Sequence, residues 1–399
     1  MTPTPPDSTL GEAAVAHAAV VRGALRERLE RERWIPFADY MRFALYAPGL
    51  GYYSAGAAKF GADGDFVTAP EISPLFAAAC AAPIAATLEA LGGGSMLEFG
   101  PGSGRFAADV LRALAGAGRP PAEYLLLEVS ADLRERQQAQ LARPGADAPC
   151  PLRWLERLPD RFDGVVFANE VLDAMPCERF VMRDGEPWRL GVSWQGEGPG
   201  WSERRPDGSR AGDAEFAQAI AGALSGLSTS LPEGYRGELN VDLPVWVAAV
   251  GATLGRGIVM LVDYGLPRRH YYHPQRTDGT LRCHHRHLAH GDPFAQPGLT
   301  DLTAWVDFTA VAEAADASGL QVAGFTTQAA FLLGSGVEAR YAEALEAADS
   351  EVVRARLAHG LRQLLLPGEM GEAVKVMVLA RGCDIEPPGL ALQDLRGSL

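Results

Sequence analysis

Glu98-Phe99-Gly100-Pro101-Gly102-Ser103-Gly104 has the residue types and spacing to hold a cationic nucleoside. Alternate glycines make a turn that tolerates positive φ and leaves no Cβ between the backbone and a ligand. A dinucleotide fingerprint needs its third glycine at position 105, where this chain has Arg105. The pattern E-x-G-x-G-x-G is instead that of enzymes using S-adenosyl-L-methionine (SAM). A pyrophosphate seeks free amides at a helix start, whereas a sulfonium and an ammonium favour a carboxylate. Glu98 supplies one. Glu128, a strand, helix and strand later at the end of EYLLLE, stands where a carboxylate accepts the ribose hydroxyls of an adenosine ligand. The plain alternative, a tight turn followed by a helix-capping glutamate, leaves the strand context on both sides unexplained.

These residues need a sheet to position them. SMLEFG, the glycine turn, a helix with Phe106, Val110, Leu111 and Leu114 on one face, and EYLLLEV form a strand–turn–helix–strand series. A helix over Ser130 to Leu141, then LRWL and DGVVFAN, continue it, and buried-type strands return at GIVMLVDYG and AVKVMVLAR. Unbroken apolar strands alternating with amphipathic helices predict a parallel sheet covered on both faces. Between them FVMR, RLGVSW and ELNVDL alternate in polarity and read as inserted antiparallel strands. Ahead of the sheet, Ala14, Ala18, Val21, Leu25 and Leu29 recur at helical spacing up to Pro36. Residues 47–74 are a Gly/Pro-rich loop in which Asp65, Thr68, Glu71 and Ser73 are expected to fold over the cofactor; Ser73 and Pro74 then open an alanine-rich helix ending at Gly92.

Composition narrows the partners. With 50 acidic against 36 basic residues and a net charge of −14, a nucleic-acid backbone or an anionic membrane would be repelled over most of the surface. A cationic partner is compatible. The five cysteines are scattered without a CxxC pair, which fits a reducing, cytoplasmic setting and neither a disulfide framework nor a thiolate metal site. No leader pattern or unbroken apolar span long enough to cross a bilayer is read in the chain, so no membrane insertion is expected.

Beyond these elements the chain resembles one family, the MidA-type SAM-dependent methyltransferases, which include the mitochondrial complex I assembly methyltransferase. The resemblance rests on FADYMRFALYAPGLGYY (37–53), GDFVTAPEISPLF (64–76), EFGPGSG (98–104), LEVSADLRERQ (127–137), NEVLDAMP (169–176), VDYG (262–265), GTLRCHHRH (279–287), PGLTDLTAWVDFT (297–309) and TQAAFLLGSG (327–336). These motifs run from residue 37 to residue 336. Arg105 and Cys177 depart from the family pattern at positions that do not carry the cofactor through a side chain. The resemblance implies a Rossmann-like class I methyltransferase core of α/β type, with a mainly parallel seven-stranded sheet, an N-terminal helical extension and an inserted antiparallel and helical acceptor subdomain. The expected order is a disordered tail (1–10), N-terminal helices and a cofactor-covering loop (11–94), a SAM-binding half (95–176) and inserted strands and helices (177–255). The rest of the core follows, with a loop at 266–300 (256–382), then a tail (383–399). A homodimer surface is an alternative role for the insertions.

The resemblance implies a protein arginine as acceptor, with a respiratory complex I-type subunit as a candidate substrate, and SAM as cofactor. A guanidinium stays protonated at neutral pH and needs carboxylates to hold it and to localise its charge away from the attacking nitrogen. NEVLDAMP follows the fourth strand at the ligand-binding edge. From it, Asn169 is expected near the methionyl part of SAM or the surroundings of the transferred methyl, with Glu170 and Asp173 as the clamp. The bland alternative has Asp173 capping a short helix and Glu170 paired with a structural arginine. Asp263 and Asp307 are candidate acceptor-pocket carboxylates, or loop anchors bonded to backbone. His287 matches a family position and is expected to take the released proton or orient the acceptor, with a hydrogen-bonded loop histidine as the plain alternative. HHRHLAH (284–290) lacks the carboxylates or thiols that would complete a metal site, so none is assigned. The competing functions are a non-catalytic SAM-binding assembly factor, a small-molecule methyltransferase and a nicotinamide-dependent oxidoreductase.

Overall fold

A computed structural model describes residues 11–54, 68–143, 148–286 and 288–399. They fall into two units, each built from separated stretches of chain. One, the sheet unit, takes its residues from Val67–Val171, Trp246–Leu266 and Val311–Leu399, and the other from Met1–Phe66, Leu172–Val245 and Pro267–Ala310. The expected block 11–94 is therefore divided between the two. Residues 1–10 lie outside the described residues.

Seven strands make the sheet unit: β1 (Ser95–Phe99), β2 (Tyr124–Leu127), β3 (Leu152–Leu155), β4 (Phe162–Asn169), β5 (Leu254–Leu266), β6 (Gln321–Thr327) and β7 (Val374–Arg381). Their order is β3-β2-β1-β4-β5-β7-β6. All pairs from β3 to β5 are parallel, and β7 alone runs against its neighbours on both sides. The strand order reverses at β1 and β4, where open α/β sheets bind ligands beyond the carboxyl ends of the strands. The glycine turn follows β1, and Asn169 is the last residue of β4.

The central strands are buried along most of their length, and helices pack against them. Helix Pro74–Leu91 starts on a side-chain cap, Ser73 accepting from the Leu75 amide, and ends at Gly92 with φ of 74°. Ser73 thus caps this helix, as its place before Pro74 predicts. By length and composition Pro74–Leu91 could cross a membrane, a span the sequence reading did not find. Its buried Leu75, Phe76, Cys80, Ile84 and Leu88 instead belong to the core around the sheet. Across that core Phe106 stacks on Phe167 of β4, with ring centroids 3.9 Å apart. The C-terminal stretch read as a tail is bonded to β6: Leu395 donates to the Phe325 carbonyl at 2.7 Å, and Gln393 Oε1 accepts from Thr326 and Thr327.

In the second unit, the expected inserted strands form an antiparallel sheet. Glu178–Arg183 lies between Glu186–Gln195 and Arg236–Leu239, while Ile35–Pro36 and Gly198–Arg204 pair with the two edges of Glu186–Gln195. Leu25 and Leu29 of the helix Glu12–Glu32 pack with Phe37, Tyr40 and Met41 of the helix Phe37–Tyr46 in this unit's own core. Buried ion pairs set the register: Arg189 contacts Glu178 at 2.6 Å and Asp213 at 3.1 Å, and Arg179 contacts Glu238 at 3.0 Å. Removing one partner would strand a buried charge.

Candidate functional site

The turn after β1 has the conformation its glycines permit. Gly100, Gly102 and Gly104 have φ of 55°, 57° and 81°, a region that costs other residues steric strain. A Cβ on Gly100 would come 3.3 Å from Val171, and one on Gly104 would come 3.3 Å from the Gln137 backbone. The Gly100 amide ties the turn to β2 through the Leu127 carbonyl. Ser103 accepts from the Arg105 amide and donates its hydroxyl to Glu71. Glu71 is thereby fixed against the turn, on the helix Ala69–Ile72, with Thr68 as the residue before it. Asp65 lies outside the described residues.

Two carboxylates flank the turn in different environments. Glu98 is 3% exposed and accepts from the Tyr124 hydroxyl at 2.7 Å. Burial, with the nearby Glu128 charge adding to it and the Tyr124 bond opposing it, pushes its pKa up to about 8. The folded value lies above the unfolded one, so the stability Glu98 contributes is complete below about pH 4.5 and is lost as pH rises through about 8. Glu98→Gln should therefore flatten this dependence. We expect it to raise the melting temperature at pH 9 relative to wild type by several degrees more than at pH 6, as read by circular dichroism.

Glu128, also buried, accepts from the Ser130 amide at 2.8 Å through Oε1 and from Gln137 Nε2 at 3.0 Å through Oε2. Burial raises its pKa, and those bonds oppose the rise.

At the end of β4, Asn169 Nδ2 donates to Glu170 Oε1 at 3.1 Å, and the Ala69 amide donates to the same oxygen at 3.2 Å. Asn169 Oδ1 is buried with no protein partner. Buried acceptors without a partner are rare and mark places where a ligand or water completes the bonding. Glu170 has φ of 52°, and its amide donates to Val262 of β5 at 2.9 Å. Such a conformation in a non-glycine residue persists where the surroundings fix it.

The two outer carboxylates are drawn into the framework. Asp263 Oδ2 accepts from the Val171 amide at 3.1 Å and Oδ1 from the Tyr264 amide at 2.9 Å. In the second unit, Asp307 Oδ2 pairs with Arg268 Nε at 2.9 Å. Its Oδ1 accepts from the Thr309 and Ala310 amides, at the start of the helix Phe308–Ala317. These bonds are those of loop anchors, the alternative role given above for both carboxylates. Asp173, in the second unit, is buried, and its carbonyl accepts from the Ala304 amide at 2.9 Å. Residues 170–176 form a turn and bend, so the helix that Asp173 was alternatively expected to cap is not formed. His287 lies outside the described residues. Of its neighbours, His285 Nδ1 donates to the Leu299 carbonyl at 2.7 Å, and His290 faces Cys283 across a strand pair. Among the described residues no group of three His, Cys, Asp or Glu is placed to hold a metal ion.

Gln137 is the residue that sequence reasoning missed. It is fully buried and joins the glycine turn to Glu128 and to Trp154. The signal was present, because Leu133, Gln137 and Leu141 share a helix face at four-residue spacing. A polar residue inside such a stripe must find buried partners.

The strand order, the left-handed glycine turn after β1, the buried acid after β2 and the partnerless amide oxygen at the end of β4 define a class I methyltransferase. The chain belongs to the family described as "Putative S-adenosyl-L-methionine-dependent methyltransferase", whose model matches residues 79–326, and its cofactor is SAM. It is 40% identical to a solved structure from Burkholderia thailandensis bound to S-adenosyl-homocysteine, with a TM-score of 0.90 over 98% of this chain and 99% of that one. Among curated proteins it is 31% identical to the zebrafish (Danio rerio) mitochondrial protein arginine methyltransferase NDUFAF7, over 85% of this chain and 81% of the relative. It is 29% identical to the Drosophila melanogaster homolog, over 90% and 84%.

Proposed function

We propose that this methyltransferase acts on arginine side chains of a protein substrate. The single observation that carries the reading is Glu170, a carboxylate fixed by the Asn169 amide group and the Ala69 amide at the ligand-binding edge of the sheet. The names of the curated relatives at 29–31% identity support the same acceptor. A respiratory complex I-type subunit is the substrate class consistent with the family.

When bound, SAM supplies a methyl group already activated by its sulfonium, so the protein's task is alignment and water exclusion. Gly100, Gly102 and Gly104 let the backbone lie against the nucleoside. Glu128 accepts the ribose hydroxyl protons, Glu98 faces the cationic portion, and Asn169 Oδ1 accepts from the methionyl ammonium. Glu71 and Thr68 close over the same turn. Glu170 holds the acceptor guanidinium and localises its charge on the nitrogens that do not react. Asp173 keeps its place as second clamp carboxylate, and His287 its place as proton acceptor, from their motifs alone. The five free cysteines support a reducing compartment, for which cytoplasm is our reading, although the relatives named above are mitochondrial.

Incubating a lysate with methyl-labelled SAM tests this directly. We expect label in protein with wild type and none above background with Glu170→Gln. Label confined to small molecules would overturn the protein-acceptor reading, and SAM binding without any transfer would favour an assembly factor.

A further inference from the structure

We infer that Gln137, oriented by Trp154, is a positioning residue for cofactor affinity: its side-chain amide holds the Glu128 carboxylate and the Gly102 carbonyl in the arrangement that receives the nucleoside. The inference rests on the reading that Glu128 binds the ribose.

The amide makes three bonds. Nε2 donates to Gly102 O at 3.0 Å and to Glu128 Oε2 at 3.0 Å, and Oε1 accepts from Trp154 Nε1 at 2.9 Å. An indole N–H can only donate, so it selects the amide oxygen. The two N–H bonds must then point the other way, at a carbonyl and a carboxylate that can only accept. The assignment of the amide's two ends, ambiguous for most glutamines, is fixed by this chemistry. Both N–H groups are used, and nothing about the side chain is exposed to water.

The geometry links the two cofactor elements. The turn after β1 and the acid after β2 belong to different loops, and Gln137 reaches both from the helix Ala131–Leu141. Close packing reinforces the bond, since the Gly104 backbone approaches so near that a Cβ there would meet the Gln137 Cα at 3.3 Å. The Ser130 amide holds Oε1 of Glu128 while Gln137 holds Oε2. Each oxygen has two lone pairs, so both retain acceptor capacity for a pair of hydroxyls. Without Gln137, one oxygen would be free to rotate away, and a buried carboxylate would lose a compensating bond.

The test is a double-mutant cycle read by calorimetric titration with S-adenosyl-homocysteine. Gln137→Met, which keeps length and loses the amide, should weaken binding roughly tenfold, the scale of one hydrogen bond to a charged group. Trp154→Phe, which keeps a ring and frees the amide to turn, should weaken it roughly threefold. Combined with Glu128→Gln, neither change should add more than about twofold, because both act through the carboxylate. A role in packing alone would lower the melting temperature and leave the losses additive, which would overturn the proposal, as would wild-type affinity in Gln137→Met. If Gln137→Met does not fold, the Trp154→Phe cycle decides by the same criterion. Wild-type affinity in Glu128→Gln would instead sink the ribose reading itself, an outcome distinct from additivity.

Discussion

Gly102→Val should reduce SAM affinity by more than roughly a hundredfold while the chain still folds, as measured by calorimetric titration alongside thermal melting. Gly102 has φ of 57°. A β-branched residue in that region is a genuine outlier, costing roughly 1–2 kcal/mol in backbone strain alone. That cost is a modest share of the roughly 5–15 kcal/mol by which domains are stable, so the sheet should survive. The turn, however, would relax toward negative φ, moving the carbonyl that accepts from Gln137 and placing two methyl groups where a ligand needs bare backbone. Binding within about threefold of wild type would mean that the turn is not the cofactor cradle.

Glu170→Gln should lower kcat by roughly a hundredfold or more and change SAM affinity by less than about threefold. The substitution is nearly isosteric, and the amide oxygen can still accept from Ala69 and Asn169 as Oε1 does. What disappears is negative charge at the place proposed for the guanidinium. Charge stabilisation that acts mainly in the transition state appears in kcat, not in cofactor binding. Initial rates with saturating SAM, together with titration of the same variant, separate the two. Equal losses in kcat and affinity would show that Glu170 serves the cofactor instead of the acceptor.

The sheet and its cofactor elements are legible in the sequence because their constraints are local. A glycine at alternate positions between an apolar strand and an amphipathic helix has few explanations, and Glu128 follows by counting one helix and one strand. The reversal of β7 is not local. AVKVMVLAR reads as buried strand in either direction, and only its neighbours reveal that it runs against them. Carboxylates are harder still. Asp263, Asp307 and Glu170 look alike in the sequence, and their partners are remote in it: Asp263 accepts from the Val171 amide 92 residues away, Glu170 from the Ala69 amide 101 residues away, and Asp307 pairs with Arg268, 39 residues away. The two-unit division is equally hidden, since Pro267–Ala310 joins Leu172–Val245 and the N-terminal helices in space and not in sequence. The negative net charge favours a cationic acceptor only weakly, because dispersed acid mostly serves solvation. Among the described residues, Glu170 gives that argument its local form.

The most direct measurement is identification of the modified amino acid. Protein labelled by wild type and SAM would be digested and the added methyl located by tandem mass spectrometry, with Gly102→Val as the control that lacks cofactor. The account predicts a methyl on an arginine guanidinium nitrogen, present with wild type and absent with the control. A methyl on lysine, on a carboxyl group or on a chain terminus would contradict it.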